Sequence, residues 1–422
     1  MKKYIFLLLI STFLHFDSAC QTKKGNLVIV GGGLEQNNKD VFLELIALAG
    51  GPDRAKFSII PAASGAPMES FDYFRNELIS YHVKPENISL IKLAVVDDDS
   101  TKDVDESVWK DNGNNPEIIK IIENSSCIWF SGGDQLRITE TLINKDGSES
   151  NALKAIRTKY ENGAVLGGTS AGAAIMSERM IGSGTSISSL KFGIFTDEKY
   201  KDLPADSGVF LTKGLGFFKT GMIDQHFNQR ARLARLIMVM FFSPKITMGY
   251  GIDENTALIF NGEKEEFRVL GTGGITIIDL KDAEMKTISG FPELKNIKIS
   301  YLSSGDRFEL KTGTIIPEPR KKLISGNEPY DEANIVQSDM LSGGKSDFYS
   351  IITQDLINNK GIEKIENINF IGNRMGFQVV LTKTAQTSGY YAEYPQEIEN
   401  YTVINILMDV IPIQINWSPL NK

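Results

Sequence analysis

The chain has 422 residues, 41% of them hydrophobic, enough to bury at least one full α/β core and a second, smaller unit. Its 53 acidic residues outweigh 45 lysines and arginines for a formal charge of −8, and there is no long basic stripe, which argues against nucleic acid as a partner. The three histidines and two cysteines form no cluster with metal-ligand spacing, so neither a metal nor a cofactor is expected.

Met1-Lys2-Lys3 is a short positive start, and Tyr4 to Leu14 is an apolar run too short to span a bilayer. With Asp17-Ser18-Ala19-Cys20 behind it, residues 1–20 read as a signal peptide of lipoprotein type, Cys20 becoming the lipidated first residue. Asp17 stands where an apolar residue is typical, so plain secretion or an uncleaved anchor are the alternatives. Expected locations are therefore the periplasm, the outer membrane or cell surface, or the medium. Only Cys127 would remain, so no internal disulfide is available, and its neighbours Ile128-Trp129-Phe130 make it a packing residue.

Strands and helices then alternate. Leu27 to Val30 is a first strand, followed by Gly31-Gly32-Gly33; Gln36 replaces the third glycine of a dinucleotide fingerprint, which removes the cofactor reading. Val41 to Ala49 and Ser70 to Tyr81 have helical periodicity, and Phe57 to Ile60 and Ile88 to Leu93 read as strands. Asp97-Asp98-Asp99 with Asp103 and Asp105 lacks the glycine and terminal glutamate of a calcium loop and reads as a solvated acidic loop. Ile128 to Phe130 and Ala164 to Leu166 add strands. Such short apolar runs bounded by Gly or Pro predict an α/β fold, a mostly parallel sheet with helices on both faces. Ligands bind such sheets at the carboxyl ends of the strands, where Gly132-Gly133 and Ser170 fall.

Gly168-Thr169-Ser170-Ala171-Gly172 places a serine at a sharp strand-to-helix turn, with a helix expected over Ala171 to Met180. Alone, such a turn can equally be structural or an anion cradle. A nucleophilic serine needs a base, and His226 is the partner by elimination: His15 lies in the leader and His82 in a loop before Pro85. The best-placed carboxylate to orient it is Glu254, with Asp253 and Asp224 as competitors. Gly182 to Gly208 is a long polar insertion read as a mobile lid or cleft wall. On a regular helix Arg230 shares a face with His226, whereas Arg232 and Arg235 point away.

Taken together, Phe130-Ser131-Gly132-Gly133-Asp134-Gln135, Gly168 to Ala173, Asp224-Gln225-His226-Phe227 with Arg230, Arg232 and Arg235, and Gly251 to Ala257 resemble the cyanophycinases in order and spacing. These are serine peptidases on the class I glutamine amidotransferase-like α/β fold. The resemblance covers residues 25–285; residues 286–422 are a strand-rich C-terminal extension without a motif, read as an accessory region of unknown role. It implies Ser170 as nucleophile, His226 as base, Glu254 as orienting acid and an oxyanion hole from Gly132, Gly133 and Ala171. It further implies substrate contacts from Gln135, Asp224, Gln225, Arg230, Arg232 and Arg235. Cysteine at position 170 would mark a glutamine amidotransferase; an α/β-hydrolase would lack the upstream Gly-Gly-Asp loop and the acidic segment after the histidine. The expected activity is hydrolysis of cyanophycin, multi-L-arginyl-poly-L-aspartate, to β-aspartyl-arginine dipeptides through an acyl-enzyme. Alternatives are a dipeptidase or isoaspartyl-peptide hydrolase of the same fold, or a non-catalytic surface-binding lipoprotein. Expected partners are cyanophycin or aspartyl-arginine peptides, a membrane through lipidated Cys20, and a second copy in a homodimer.

Overall fold

Five short segments form the centre of one sheet: β1 (Asn26–Val30), β2 (Phe57–Ile60), β3 (Ile88–Leu90), β4 (Cys127–Phe130) and β5 (Val165–Thr169). They lie in the order β1-β5-β4-β2-β3, every neighbouring pair parallel. Around them run α1 (Lys39–Leu48), α2 (Pro67–Ser80), α3 (Pro116–Glu123), α4 (Gln135–Leu142), α5 (Asn151–Glu161) and α6 (Ala171–Ala174). The computed structural model describes residues 24–331, 336–342, 348–393 and 399–416; the signal expected over residues 1–20, with Cys20, lies outside them.

Period-two alternation assigns the two faces. Leu27, Ile29, Ile128, Phe130 and Leu166 pack with α3, α4, α5 and α6, whereas Val28, Val30, Phe57, Trp129 and Val165 pack against α1 and α2. Both faces of the parallel strands are thus covered, as the continuous apolar runs predict. Cys127 is buried in the second layer, where desolvation pushes its thiol pKa up and leaves it a packing group. Beyond β1 the sheet continues antiparallel through Thr256–Asn261, Glu266–Gly271, Arg307–Glu309 and Thr314–Ile316.

A second sheet begins with Met222–Gln225, parallel to Met248–Ile252. It then runs antiparallel through Gly274–Asp279, Phe291–Ser303, Glu399–Gln414, Met375–Thr382 and Lys364–Gly372. The boundary expected at residue 285 therefore marks no break in the fold. Ile278, before it, shares a core with Ile299, Phe377 and Met408, after it. Residues beyond 285 complete both sheets rather than hang from the first.

Two local expectations are corrected. The helix expected over Ala171 to Met180 ends after Ala174, and the chain continues as the strand Arg179–Ser183. The carbonyls of Ile175 to Glu178 accept from the amides of Leu215, Phe218, Gly216 and Gly214, which removes the acceptors a longer helix needs. The polar run Gly182 to Gly208 is folded rather than open loop: Ser186–Phe192 is helical with a capping box from Thr185 and Ser188, and Ser186, Ser188 and Ser189 are buried. Each of these serine hydroxyls donates to a backbone carbonyl, so the segment's polarity is consumed internally.

Candidate active site

Ser170 follows β5 with φ 54° and ψ −109°, outside the regions a non-glycine residue ordinarily occupies. Such a conformation costs about 1–3 kcal/mol and persists only where the surroundings impose it. Here the Ser170 amide donates to the Val30 carbonyl at 3.0 Å, and the chain enters α6 at once. The hydroxyl is left half-exposed at the carboxyl end of the parallel strands.

The second sheet supplies its partners. Met222–Gln225 delivers His226 and the adjacent Met248–Ile252 delivers Asp253 and Glu254, so parallel pairing sets the two ends side by side. Ser170 Oγ lies 2.7 Å from His226 Nε2, and His226 Nδ1 lies 2.5 Å from Glu254 Oε1. A carboxylate can only accept, so Nδ1 carries the proton and Nε2 is the acceptor facing the serine hydroxyl. The competing carboxylates are engaged elsewhere. Asp253 accepts from the Asn228 and Gly274 amides and the Tyr301 hydroxyl, and Asp224 pairs with Arg235.

His226 is 7% exposed and itself adopts φ 47°. Its amide donates to Gly31 and the Asn255 amide donates to Gly32, each at 2.7 Å. Gly32, at φ 110°, lies flat against the imidazole, and a Cβ there would overlap the ring. The glycine run after β1 therefore seats the histidine. The glycines are plain in the sequence, but nothing local to them shows which distant side chain they meet. Burial lowers the His226 pKa, the Glu254 hydrogen bond opposes this, and the charges of Arg230 and Arg232 lower it further. The imidazole is held neutral and able to take a proton.

Gly132 and Gly133, after β4, and Ala171, at the start of α6, present N–H groups without hydrogen-bond partners among the described residues. Gly132 and Gly133 line a cleft of about 460 Å³ together with Ser170, His226, Arg230, Leu34 and Tyr73. Ser131 and Thr169 also line it, and their buried hydroxyls have no hydrogen-bond partner among the described residues, a feature no sequence motif revealed.

Of the six residues expected to touch substrate, Arg230 alone lines this cleft; it is exposed and forms no ion pair among the described residues. The segment from His226 to Arg232 is an irregular turn, with Ala231 at φ 48°, so the helical-face geometry expected for the arginines does not apply. Arg235 is buried in the first turn of helix Leu233–Phe242, bidentate on Asp224 at 2.8 and 2.5 Å and bonded to the Gly184 carbonyl at 2.6 Å. Arg232 donates to the Gln225 carbonyl at 2.5 Å and to that residue's side-chain oxygen. The Gln135 amide donates to the Ile181 and Gly182 carbonyls at 2.8 and 2.6 Å. Gln135 and the Asp224–Arg235 pair thus tie α4 and the His226 strand to Ile181 to Gly184, while Arg232 and Gln225 bond to each other.

Residues 27–268 match peptidase family S51. The chain is 30% identical over 296 residues to a cyanophycinase of Synechococcus elongatus, covering 68% of this chain and 80% of that relative. It is 30% identical over 300 residues to a cyanophycinase of Geminocystis herdmanii, covering 69% and 96%. Among solved structures, a peptidase from an acI-B1 actinobacterium is 20% identical with a TM-score of 0.46, covering 68% of this chain and 98% of that one.

Proposed function

The chain belongs to peptidase family S51 and is a serine-type peptidase, and from that premise we propose that Ser170 is its nucleophile, His226 the general base and Glu254 the carboxylate that orients and charges the pair. The observation that carries this reading is the continuous hydrogen-bonded run from Ser170 Oγ through the imidazole to Glu254 Oε1. Ser170 Oγ attacks the scissile carbonyl while its proton passes to His226 Nε2, and Glu254 stabilises the imidazolium. The oxyanion receives N–H groups from Ala171 and the Gly132-Gly133 loop, donors worth roughly 2.7–4 kcal/mol each toward such a transition state. His226 returns the proton to the leaving amine, and water then hydrolyses the acyl-enzyme by the reverse route.

The substrate proposed is cyanophycin, cleaved to β-aspartyl-arginine dipeptides; the relatives named cyanophycinase support it. Arg230 is assigned to a substrate carboxylate, which its planar fork can hold through two oxygens. A second reading, hydrolysis of small aspartyl or isoaspartyl peptides, is favoured by the cleft lining, which carries Arg230 and no carboxylate to receive a guanidinium among the described residues. Incubation with insoluble cyanophycin, beside β-aspartyl dipeptides, with products read by mass spectrometry and Ser170→Ala as control, separates the two. Release of β-aspartyl-arginine from polymer by the wild type alone establishes the first; turnover of dipeptides only establishes the second. Export, with lipidation at Cys20, is proposed on the pattern of residues 1–20, and the mass of the mature N-terminal peptide tests it.

A further inference from the structure

Asp253 sits beside Glu254 but, among the described residues, shares no hydrogen bond with His226 and is not one of the residues lining the cleft. It is 2% exposed, and all its polar contacts are internal. Oδ1 accepts the Asn228 amide at 3.0 Å; Oδ2 accepts the Gly274 amide at 3.1 Å and the Tyr301 hydroxyl at 3.0 Å. Asn228 lies midway between His226 and Arg230. The next residue of that turn, Gln229, accepts the Glu254 amide through its side chain at 3.0 Å. The turn begins and ends on left-handed residues, His226 at φ 47° and Ala231 at φ 48°. It is closed by backbone bonds of three different spans, from the amides of Arg230, Ala231 and Arg232 to the carbonyls of His226, Asn228 and Phe227, so it is no regular helix and its side-chain contacts help set its shape.

Tyr301 comes from Phe291–Ser303, beyond the stretch matched to the family. Its phenol reaches Asp253 only because residue 274 is glycine; a Cβ there would overlap the phenol. Its ring packs against Tyr349, 5.2 Å between centroids, in the strand-rich part of the chain. We infer that Asp253 and Tyr301 form a brace that fixes the turn carrying His226 and Arg230, which makes the C-terminal strands positioning elements of the active site. Burial pushes the Asp253 carboxyl up to about 6, a cost the three donors offset in part, and this fits a group retained for geometry.

The inference rests on Ser170 and His226 acting as proposed above, so the test reads that pair without a natural substrate. The full chain is treated with a fluorophosphonate, and the rate of covalent labelling at Ser170 is followed against pH, well below the melting temperature. Tyr301→Phe removes one hydrogen bond and keeps the ring; Asp253→Asn turns one of the two acceptor oxygens into a donor NH2 that faces N–H or O–H groups. Ile299→Val, on the same strand but outside the brace, is the control for loss of stability alone. Labelling is expected to fall roughly tenfold in Tyr301→Phe and further in Asp253→Asn, as small misplacements of reacting groups do. The acidic limb should move up as His226 loses part of the burial that lowers it, while Ile299→Val melts earlier but labels at the wild-type rate. Wild-type rate and limb in Tyr301→Phe overturn the brace alone. No labelling of the wild type at Ser170 overturns the nucleophile and the brace with it.

Discussion

At the residue scale, each member of the proposed chemistry does a different job, and the losses on removing them should be graded. Ser170→Ala should lower turnover by about 10⁶, as in the best-studied triad. Glu254→Gln keeps the shape but offers an amide in place of the acceptor, and should cost about 10⁴. Equal losses from both would contradict the division of roles. The pH profile is a second check. His226 must be neutral to act, and its pKa is lowered from 6.5 chiefly by burial, so the acidic limb of kcat/KM should lie below pH 6.5. The linked stability has the same sign: full above pH 6.5 and lost as pH falls through the folded-state value. Arg230→Ala removes one of the charges that lower His226, and its limb should move toward higher pH. Gly32→Ala places a methyl in the imidazole at a left-handed φ and should lower labelling of Ser170 more than it lowers the melting temperature.

At the element scale, the site is built from the ends of strands in two sheets. β5 ends at Ser170, β1 ends in the glycine run, and Met222–Gln225 and Met248–Ile252 end at His226 and at Asp253-Glu254. What holds the His226 strand against Ile181 to Gly184 is the buried Asp224–Arg235 pair, with Gln225 and Arg232 beside it. Breaking such a pair leaves an uncompensated buried charge, so Asp224→Ala or Arg235→Ala should cost about 3–5 kcal/mol in denaturant unfolding. A raised KM with unchanged stability would instead return these side chains to the substrate. The family resemblance implied substrate contacts for these side chains; a linear reading cannot show which cations already have an anion.

At the scale of the whole molecule, residues past 285 share hydrogen bonds and core with the sheet that carries His226. Gly274–Asp279 pairs along its length with Phe291–Ser303, which in turn pairs with Glu399–Gln414. Lys321 and Asp306 form a fully buried ion pair at 2.8 Å, satisfied further by Ser303 and Thr402, which joins the linker after the first sheet to the last long strand. A chain ending at residue 285 would expose Ile277 and Ile278 and leave a strand edge unpaired. It should be recovered as aggregate or without a cooperative melt; a soluble, cooperatively melting fragment that labels at Ser170 would show the C-terminal strands to be dispensable.

The parallel sheet and the Ser170, His226 and Glu254 set were legible in the sequence because both rest on local pattern. Apolar runs of strand length specify buried parallel strands, and a serine among glycines at a strand end specifies an exposed hydroxyl. With three histidines in the chain, His226 was nearly forced as the one to meet Ser170. What only the tertiary structure decided are the pairings between distant segments. It set Gly32 under the imidazole, engaged Arg235 and Arg232 within the protein while leaving Arg230 at the cleft, cut α6 to one turn, and ran one sheet through residue 285. Each of these depends on which donors, acceptors and apolar faces meet across long stretches of chain. Composition and periodicity carry the supply of such groups but not their partners.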